Sequence, residues 1–253
     1  MPYTDHTNPD TAGAFNAVAS RYDSAFDNSF DRAEEQFIFD RYIYPHIKNR
    51  YMLDLGCGTG LIKRLSDRYV FRPQYTGVDY APEMIAKAKQ LHPKNTVLDT
   101  HRFFCDDMVA FMDTERPCWY DAIVAMYFPL NYCMYPPEVV YHSANRILRP
   151  GGRLILVVAT PRYAARASHI VSAGNMRRYY HIGSADAWHG PKVLPAGMEL
   201  VEHNGVNYFI ERYRHALQHC PTVINQKLFE WDQRRGMKAG ATPYMYILNI
   251  AKS

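Results

Sequence analysis

Met52-Leu53-Asp54-Leu55-Gly56-Cys57-Gly58-Thr59-Gly60 decides how this chain is read. Leu53 and Leu55 supply the apolar positions of a buried strand, and three glycines follow at alternate positions. Glycine permits a tight turn and lets backbone approach a ligand, because no Cβ intrudes. Leu61-Ile62-Lys63-Arg64-Leu65 then resumes a helical pattern, so the free N–H groups of a helix start face whatever the turn holds. A dinucleotide fingerprint asks for G-x-G-x-x-G. Here Gly60 comes one residue early and Leu61 occupies the third-glycine place. Asp54, two residues before the first glycine, is positioned to hold an ammonium group.

This apolar-acid-x-G-x-G-x-G strand and turn resembles the first motif of the class I S-adenosylmethionine (SAM)-dependent methyltransferases. Further motifs follow in order. Tyr75-Thr76-Gly77-Val78-Asp79 reads as a second strand ending in an acid, and Pro82-Glu83 opens a helix whose inner face is Met84, Ile85 and Ala88. A carboxylate at that strand end suits the two hydroxyls of a ribose. Arg102 to Met108 reads as a third strand and its exit loop, with Asp106 and Asp107 adjacent. Tyr120 to Met126 is a fourth strand. Leu148-Arg149-Pro150-Gly151-Gly152 precedes a fifth, whose unbroken apolar run fits a sheet covered on both faces. Ahead of the first strand, Ser20-Arg21-Tyr22-Asp23 resembles a segment seen in many small-molecule members of the family. The resemblance covers about residues 15–160.

It implies a Rossmann-like α/β fold: a seven-stranded, mostly parallel sheet with helices on both faces and an antiparallel last strand. It also implies SAM as cofactor and S-adenosylhomocysteine as product. The cofactor set it implies is Tyr22, Asp54, Gly56, Gly58, Gly60, Asp79, Tyr80, Met84, Met108 and Met126, together with Asp106 or Asp107 for the adenine. Asp107 alternatively caps the helix that begins near Met108, and Tyr22 alternatively only packs a helix on the sheet. The family's usual Gly-Asp-Ala at the third strand end is Cys105-Asp106-Asp107 here, so the choice between the two acids stays open.

The bounds agree with one domain of 253 residues. Its expected parts are a helical cover over 1–50, the cofactor core over 51–160, an acceptor lid over 161–220, and the last two strands over 221–253. Within the lid, Asn204-Gly205 between alternating segments predicts a β-hairpin. Strands are expected over 223–231 and 244–251, helices over 162–180 and 214–219. No apolar run approaches the roughly 18 residues needed to span a bilayer. The five cysteines are scattered, and the first ten residues are polar and acidic, so a reduced cytoplasmic setting is expected, with no membrane and no metal.

The net charge of +4 is mild. The strand-four exit, Tyr127-Phe128-Pro129-Leu130, lacks the (D/N)-P-P-(Y/F) tetrad of enzymes that methylate DNA amino groups, so no DNA substrate is expected. The expected acceptor is a small molecule methylated on oxygen or nitrogen. RNA is the alternative, for example a cap guanine, on the strength of Arg162, Arg166, Arg177 and Arg178. His181, His189 and Tyr132 are the candidates for a catalytic base or hydrogen-bonding partner. No motif singles one out, because displacement at a sulfonium needs alignment first and a base only where the acceptor carries a proton.

Overall fold

The structure, a computed structural model, describes residues 9–25, 27, 29–94, 99–127, 129–133, 135–159, 194–206 and 245–253. Its first elements are helical. They are α1 (Pro9–Val18), a 3-10 turn at Ala19–Arg21, α2 (Tyr22–Ala25), α3 (Ser29–Ile38), a π turn at Phe39–Ile43, and α4 (Tyr44–Ile47). The π turn has a local cause. Pro45 has no N–H to offer the Arg41 carbonyl and its ring crowds that oxygen, so the helix widens just before it.

The core follows: β1 (Tyr51–Leu55), α5 (Leu61–Ser66), β2 (Gln74–Asp79), α6 (Pro82–Leu91), β3 (Arg102–Cys105), α7 (Met108–Thr114), β4 (Tyr120–Ala125), α8 (Pro129–Tyr132), α9 (Pro137–Ile147) and β5 (Leu148–Ala159). β6 (Met198–Val206) and β7 (Met245–Lys252) complete a seven-stranded sheet in the order β3-β2-β1-β4-β5-β7-β6. The first five strands pair in parallel, and β7 runs antiparallel to both β5 and β6. The expected sheet is therefore the observed one.

Both faces are dry. Alternate residues of β5 feed opposite layers, Ile155 and Val157 on one side and Leu154, Leu156 and Val158 on the other. The first layer is closed by Ile38, Phe39, Ile43 and Ile47 from the N-terminal helices, and the second by Val109, Phe111, Val140, Tyr141 and Ile147 from α7 and α9. Every one of these side chains is buried. This explains why β5 carries no polar alternation.

One expectation fails. Asn204-Gly205 is not a hairpin turn but lies inside β6, with Asn204 opposite Ile247 and Gly205 opposite Tyr246. An Asn-Gly turn folds only if its two flanks pair with each other. Here both flanks pair with β7, whose Ile247, Leu248 and Ile250 are buried, and the long-range ladder wins over the two-residue signal. The sixth strand of the described sheet thus stands where a lid hairpin was expected. The segments 162–180, 214–219 and 223–231 lie outside the described residues.

β7 also secures a helix end. Lys252 Nζ donates to the carbonyls of Asn145 at 2.6 Å and Leu148 at 2.7 Å, at the C-terminus of α9, where a cation also meets the negative end of the helix dipole. Lys252→Met is expected to cost about 1 kcal/mol. A urea titration checks this through a lower midpoint at unchanged slope.

Candidate cofactor site

β1 ends in a turn whose three glycines all take left-handed φ, +66° at Gly56, +52° at Gly58 and +91° at Gly60. Two of them are held from outside. A Cβ at Gly56 would lie 2.5 Å from Pro129 at the start of α8, and one at Gly60 would lie 2.8 Å from the His92 ring. Gly58 is different: a Cβ there would meet nothing within 4 Å. The middle of the turn therefore faces open space. Cys57 N donates to the Val78 carbonyl at 3.0 Å and Gly60 N to the Cys57 carbonyl at 2.9 Å, so the turn is fastened to β2 and to itself.

Asp79 closes the arrangement. Its Oδ2 accepts from Gly58 N at 2.8 Å and its Oδ1 from Ala81 N at 2.9 Å. Burial pushes its pKa up, and these two backbone donors pull the other way. A carboxylate has about four acceptor positions, so two remain for ligand hydroxyls. The Asp79 carbonyl accepts from Asp106 N at 3.1 Å, which brings the β3 exit alongside. There the two acids separate. Asp107 Oδ1 accepts from Val109 N and Ala110 N, both at 2.9 Å, and caps α7. Asp106 is exposed and uses Oδ1 for Asp107 N at 2.8 Å. Tyr80, 39% exposed, stands between Asp79 and this loop.

The N-terminal helices cover one flank. Asn16 Oδ1 accepts from Glu83 N at 3.1 Å, docking α1 on the start of α6. Tyr22 packs with Phe15 and Val18 against Ala19, Ala81 and Met84. Met84 is fully buried in that small cluster, Met126 is buried at the end of β4, and Met108 is partly exposed. Asp23 was not singled out from the sequence, although it directly follows Tyr22. Its Oδ1 accepts from Thr59 Oγ1 of the glycine turn at 2.7 Å, and its Oδ2 is buried with no hydrogen-bond partner. Tyr127, just past β4, takes φ +59°, a strained conformation of the kind that gathers at functional sites.

Asp54 lies beneath the turn, 2% exposed, and accepts from the Tyr75 hydroxyl at 2.7 Å. Burial pushes its pKa to about 8, against the lowering effect of the Tyr75 bond, with Asp79 nearby adding to the rise. Tyr132 falls on α8, and His181 and His189 lie outside the described residues. Among the described residues no group of three or more His, Cys, Asp or Glu side chains gathers as a metal site, and no helix is long and apolar enough to cross a membrane.

The turn, the ribose-type acid and the open glycine fit a nucleoside with a cationic amino-acid tail. Comparison with known proteins agrees. A family model described as "Methyltransferase domain" matches residues 52–152. Malonyl-[acyl-carrier protein] O-methyltransferase of Alcanivorax borkumensis is 31% identical over 108 residues, 43% of this chain and 34% of that protein. Ubiquinone biosynthesis O-methyltransferase of Xanthomonas campestris pv. campestris is 30% identical over 127 residues, 50% of each. The chain thus spans half or less of the length of these curated relatives. Among solved structures, the [4+2]-cyclase SpnF aligns with TM-score 0.59 at 15% identity, over 97% of this chain and 96% of that one. A Haemonchus contortus phosphoethanolamine N-methyltransferase 2 bound to S-adenosylhomocysteine aligns with TM-score 0.55 at 17% identity, over 94% of this chain and 57% of that one. At such identities these likenesses establish the fold.

Two expectations come from the acids. Asp107→Ala is expected to cost about 1 kcal/mol of stability through the lost cap, read in a denaturant titration, while Asp106→Ala leaves stability within about 0.5 kcal/mol. For Asp54 the native pKa lies above the unfolded one, so the native state keeps its proton longer. Stability then falls as pH rises from about 4 to about 8 and levels off above that. Asp54→Asn is expected to flatten this slope in denaturant titrations across that range.

Proposed function

We propose that this chain, which carries a class I SAM-dependent methyltransferase domain over residues 52–152, transfers a methyl group from SAM to an oxygen or nitrogen of a small-molecule acceptor. The observation that carries this reading is the Asp79 carboxylate, tied to Gly58 N and Ala81 N beside a glycine that opens on empty space. Such a carboxylate is pre-aimed by backbone and keeps acceptor capacity for a pair of vicinal hydroxyls. The O-methyltransferase relatives favour oxygen as the site of methylation.

When bound, SAM supplies a methyl group already activated on a sulfonium. The protein's work is to bind, orient and exclude water. Asp79 takes the ribose hydroxyls. Asp106 is the proposed adenine acid, since Asp107 serves as the cap of α7 while Asp106 is exposed on the loop. Tyr80 offers an aromatic face beside them. Asp54 and the Gly56–Gly60 turn receive the amino-acid end. Alignment of acceptor, methyl carbon and sulfur can contribute roughly 7–11 kcal/mol without any covalent help from the protein. Tyr22 and the helices around it cover one flank; the acceptor lid expected over 161–220, which would exclude water, falls mostly outside the described residues. His181 and His189 in that segment, and Tyr132 on α8, remain the proposed partners for an acceptor that must lose a proton. The RNA alternative rests on arginines outside the described residues, and neither relative named above lends it support.

Calorimetric titration of the whole chain with SAM and S-adenosylhomocysteine tests the site. One ligand per chain is expected, and Asp79→Asn is expected to weaken binding by about ten- to a hundredfold through the lost charge-assisted bonds. Incubation with methyl-labelled SAM and a small-molecule extract is expected to move label into that fraction. A wild-type chain that bound neither ligand would overturn the reading.

A further inference from the structure

Asp54 is the first-motif acid, yet it does not sit open to a ligand: it is 2% exposed on the face of β1 that carries Met52. How it is held there depends on residues of β2. The register puts Asp54 directly opposite Gly77. Because Gly77 has no side chain, the ring of Tyr75, two residues earlier on the same face, lies over it. A Cβ at Gly77 would come within 2.7 Å of the Tyr75 hydroxyl and 2.8 Å of Cys57 Sγ. The hydroxyl thus crosses from β2 to β1 and donates to Asp54 Oδ2 at 2.7 Å. Among the described residues this is the only hydrogen bond to that carboxyl.

We propose that Tyr75 is a positioning residue for cofactor capture: it holds Asp54 beneath the glycine turn as a buried acid that releases its proton to solvent when a cationic ligand arrives. The inference rests on the SAM reading of the site given above. Among the described residues no cationic group acts on Asp54. Tyr75, Cys57 and Asp79 are the titratable groups that act on it or on its partner, and none carries positive charge. Of the charged groups on the elements around it, Arg64 of α5 pairs with Glu35 of α3 and Lys63 with Asp67, while Asp23, itself an acid, bonds Thr59 through Oδ1 and leaves Oδ2 without a hydrogen-bond partner. His92 packs behind Gly60, and its own protonation is disfavoured, by burial first. An ionised Asp54 in this setting is an uncompensated buried charge, which is why burial moves its pKa to about 8. A ligand bearing an ammonium and a sulfonium supplies the missing counter-charge, and the carboxyl O–H then gives its proton to water. Tyr75 matters in both states, since its hydroxyl stabilises the ionised form more than the neutral one.

The consequence is a linkage between SAM affinity and pH. The proton that binding expels is bound to the free protein below about pH 8, so affinity rises with pH up to that point and is flat above it. Removing the Tyr75 hydroxyl makes Asp54 harder to ionise, so the same curve moves to higher pH.

The test is calorimetric titration of the whole chain with SAM at several pH values between 6 and 9.5, each in two buffers of different ionisation enthalpy. The wild type is expected to release about one proton per SAM bound near pH 7, falling toward none above pH 9. Asp54→Asn is expected to lose this release. Tyr75→Phe is expected to bind SAM about three- to tenfold more weakly at pH 7, with affinity recovered at the alkaline end, a midpoint shift of up to about one pH unit. SAM binding with no proton exchange and a flat pH profile would overturn the inference while leaving the site reading intact. So would a Tyr75→Phe loss equal at every pH, which marks a merely structural tyrosine. If that variant fails to fold, the wild-type and Asp54→Asn proton counts decide alone. A chain that bound neither SAM nor S-adenosylhomocysteine at any pH would overturn both readings.

Discussion

The hydrogen bond from Gly58 N to Asp79 Oδ2 is the contact on which the rest of the site depends. It joins the turn after β1 to the end of β2, and so fixes the spacing of two loops that sequence separates by about twenty residues. A backbone donor makes this joint insensitive to side-chain rotamers, and a carboxylate acceptor makes it stronger than an amide–amide bond. It also requires glycine at position 58, since φ there is positive and the side opposite the bond must stay open for a ligand. The neighbouring glycines serve packing instead: one admits Pro129 from α8 and the other admits the His92 ring from the end of α6. A single turn thus meets α8, α6 and β2 at once, which is why its pattern is so demanding in sequence.

Around that joint the N-terminal helices are structural members rather than an appendage. Asn16 takes over a free N–H at the start of α6, and Tyr22 packs with Phe15 against Ala81 and Met84. Asp23 reaches the turn itself through Thr59. α1 and α2 are therefore positioned by the same residues that open α6 beside Asp79.

How much of this was legible in the sequence follows from the range of each interaction. The turn, the acid at the end of β2 and the start of α6 are local strand–turn–helix features, and they stand where the residues said. The capping alternative for Asp107 is a local feature too, and the structure shows it. β6 was misread because Asn204-Gly205 is a strong signal over two residues, while the pairing that overrides it comes from β7, some forty residues away. Tyr75 was passed over for the same reason. Nothing in Tyr75-Thr76-Gly77 marks the tyrosine until the register sets Gly77 opposite Asp54. Asp23 could have been found, since it completes the segment that drew attention to Tyr22.

The two acids of the site, Asp54 buried and Asp79 half-buried, differ in what faces them. Asp79 meets two backbone N–H groups, which stabilise its charge and oppose the cost of burial. Asp54 meets one hydroxyl and a neighbouring acid; burial raises both pKa values, and that of Asp54 reaches about 8. Where backbone donors face the carboxyl, they favour the charged acceptor that neutral hydroxyls need. Where they do not, the carboxyl waits for a ligand that brings its own positive charge. A fold shared with a [4+2]-cyclase does not by itself choose a reaction. An acid left uncompensated beneath a glycine turn does favour one kind of ligand, because a cationic ligand stabilises its ionised form and a neutral nucleoside does not.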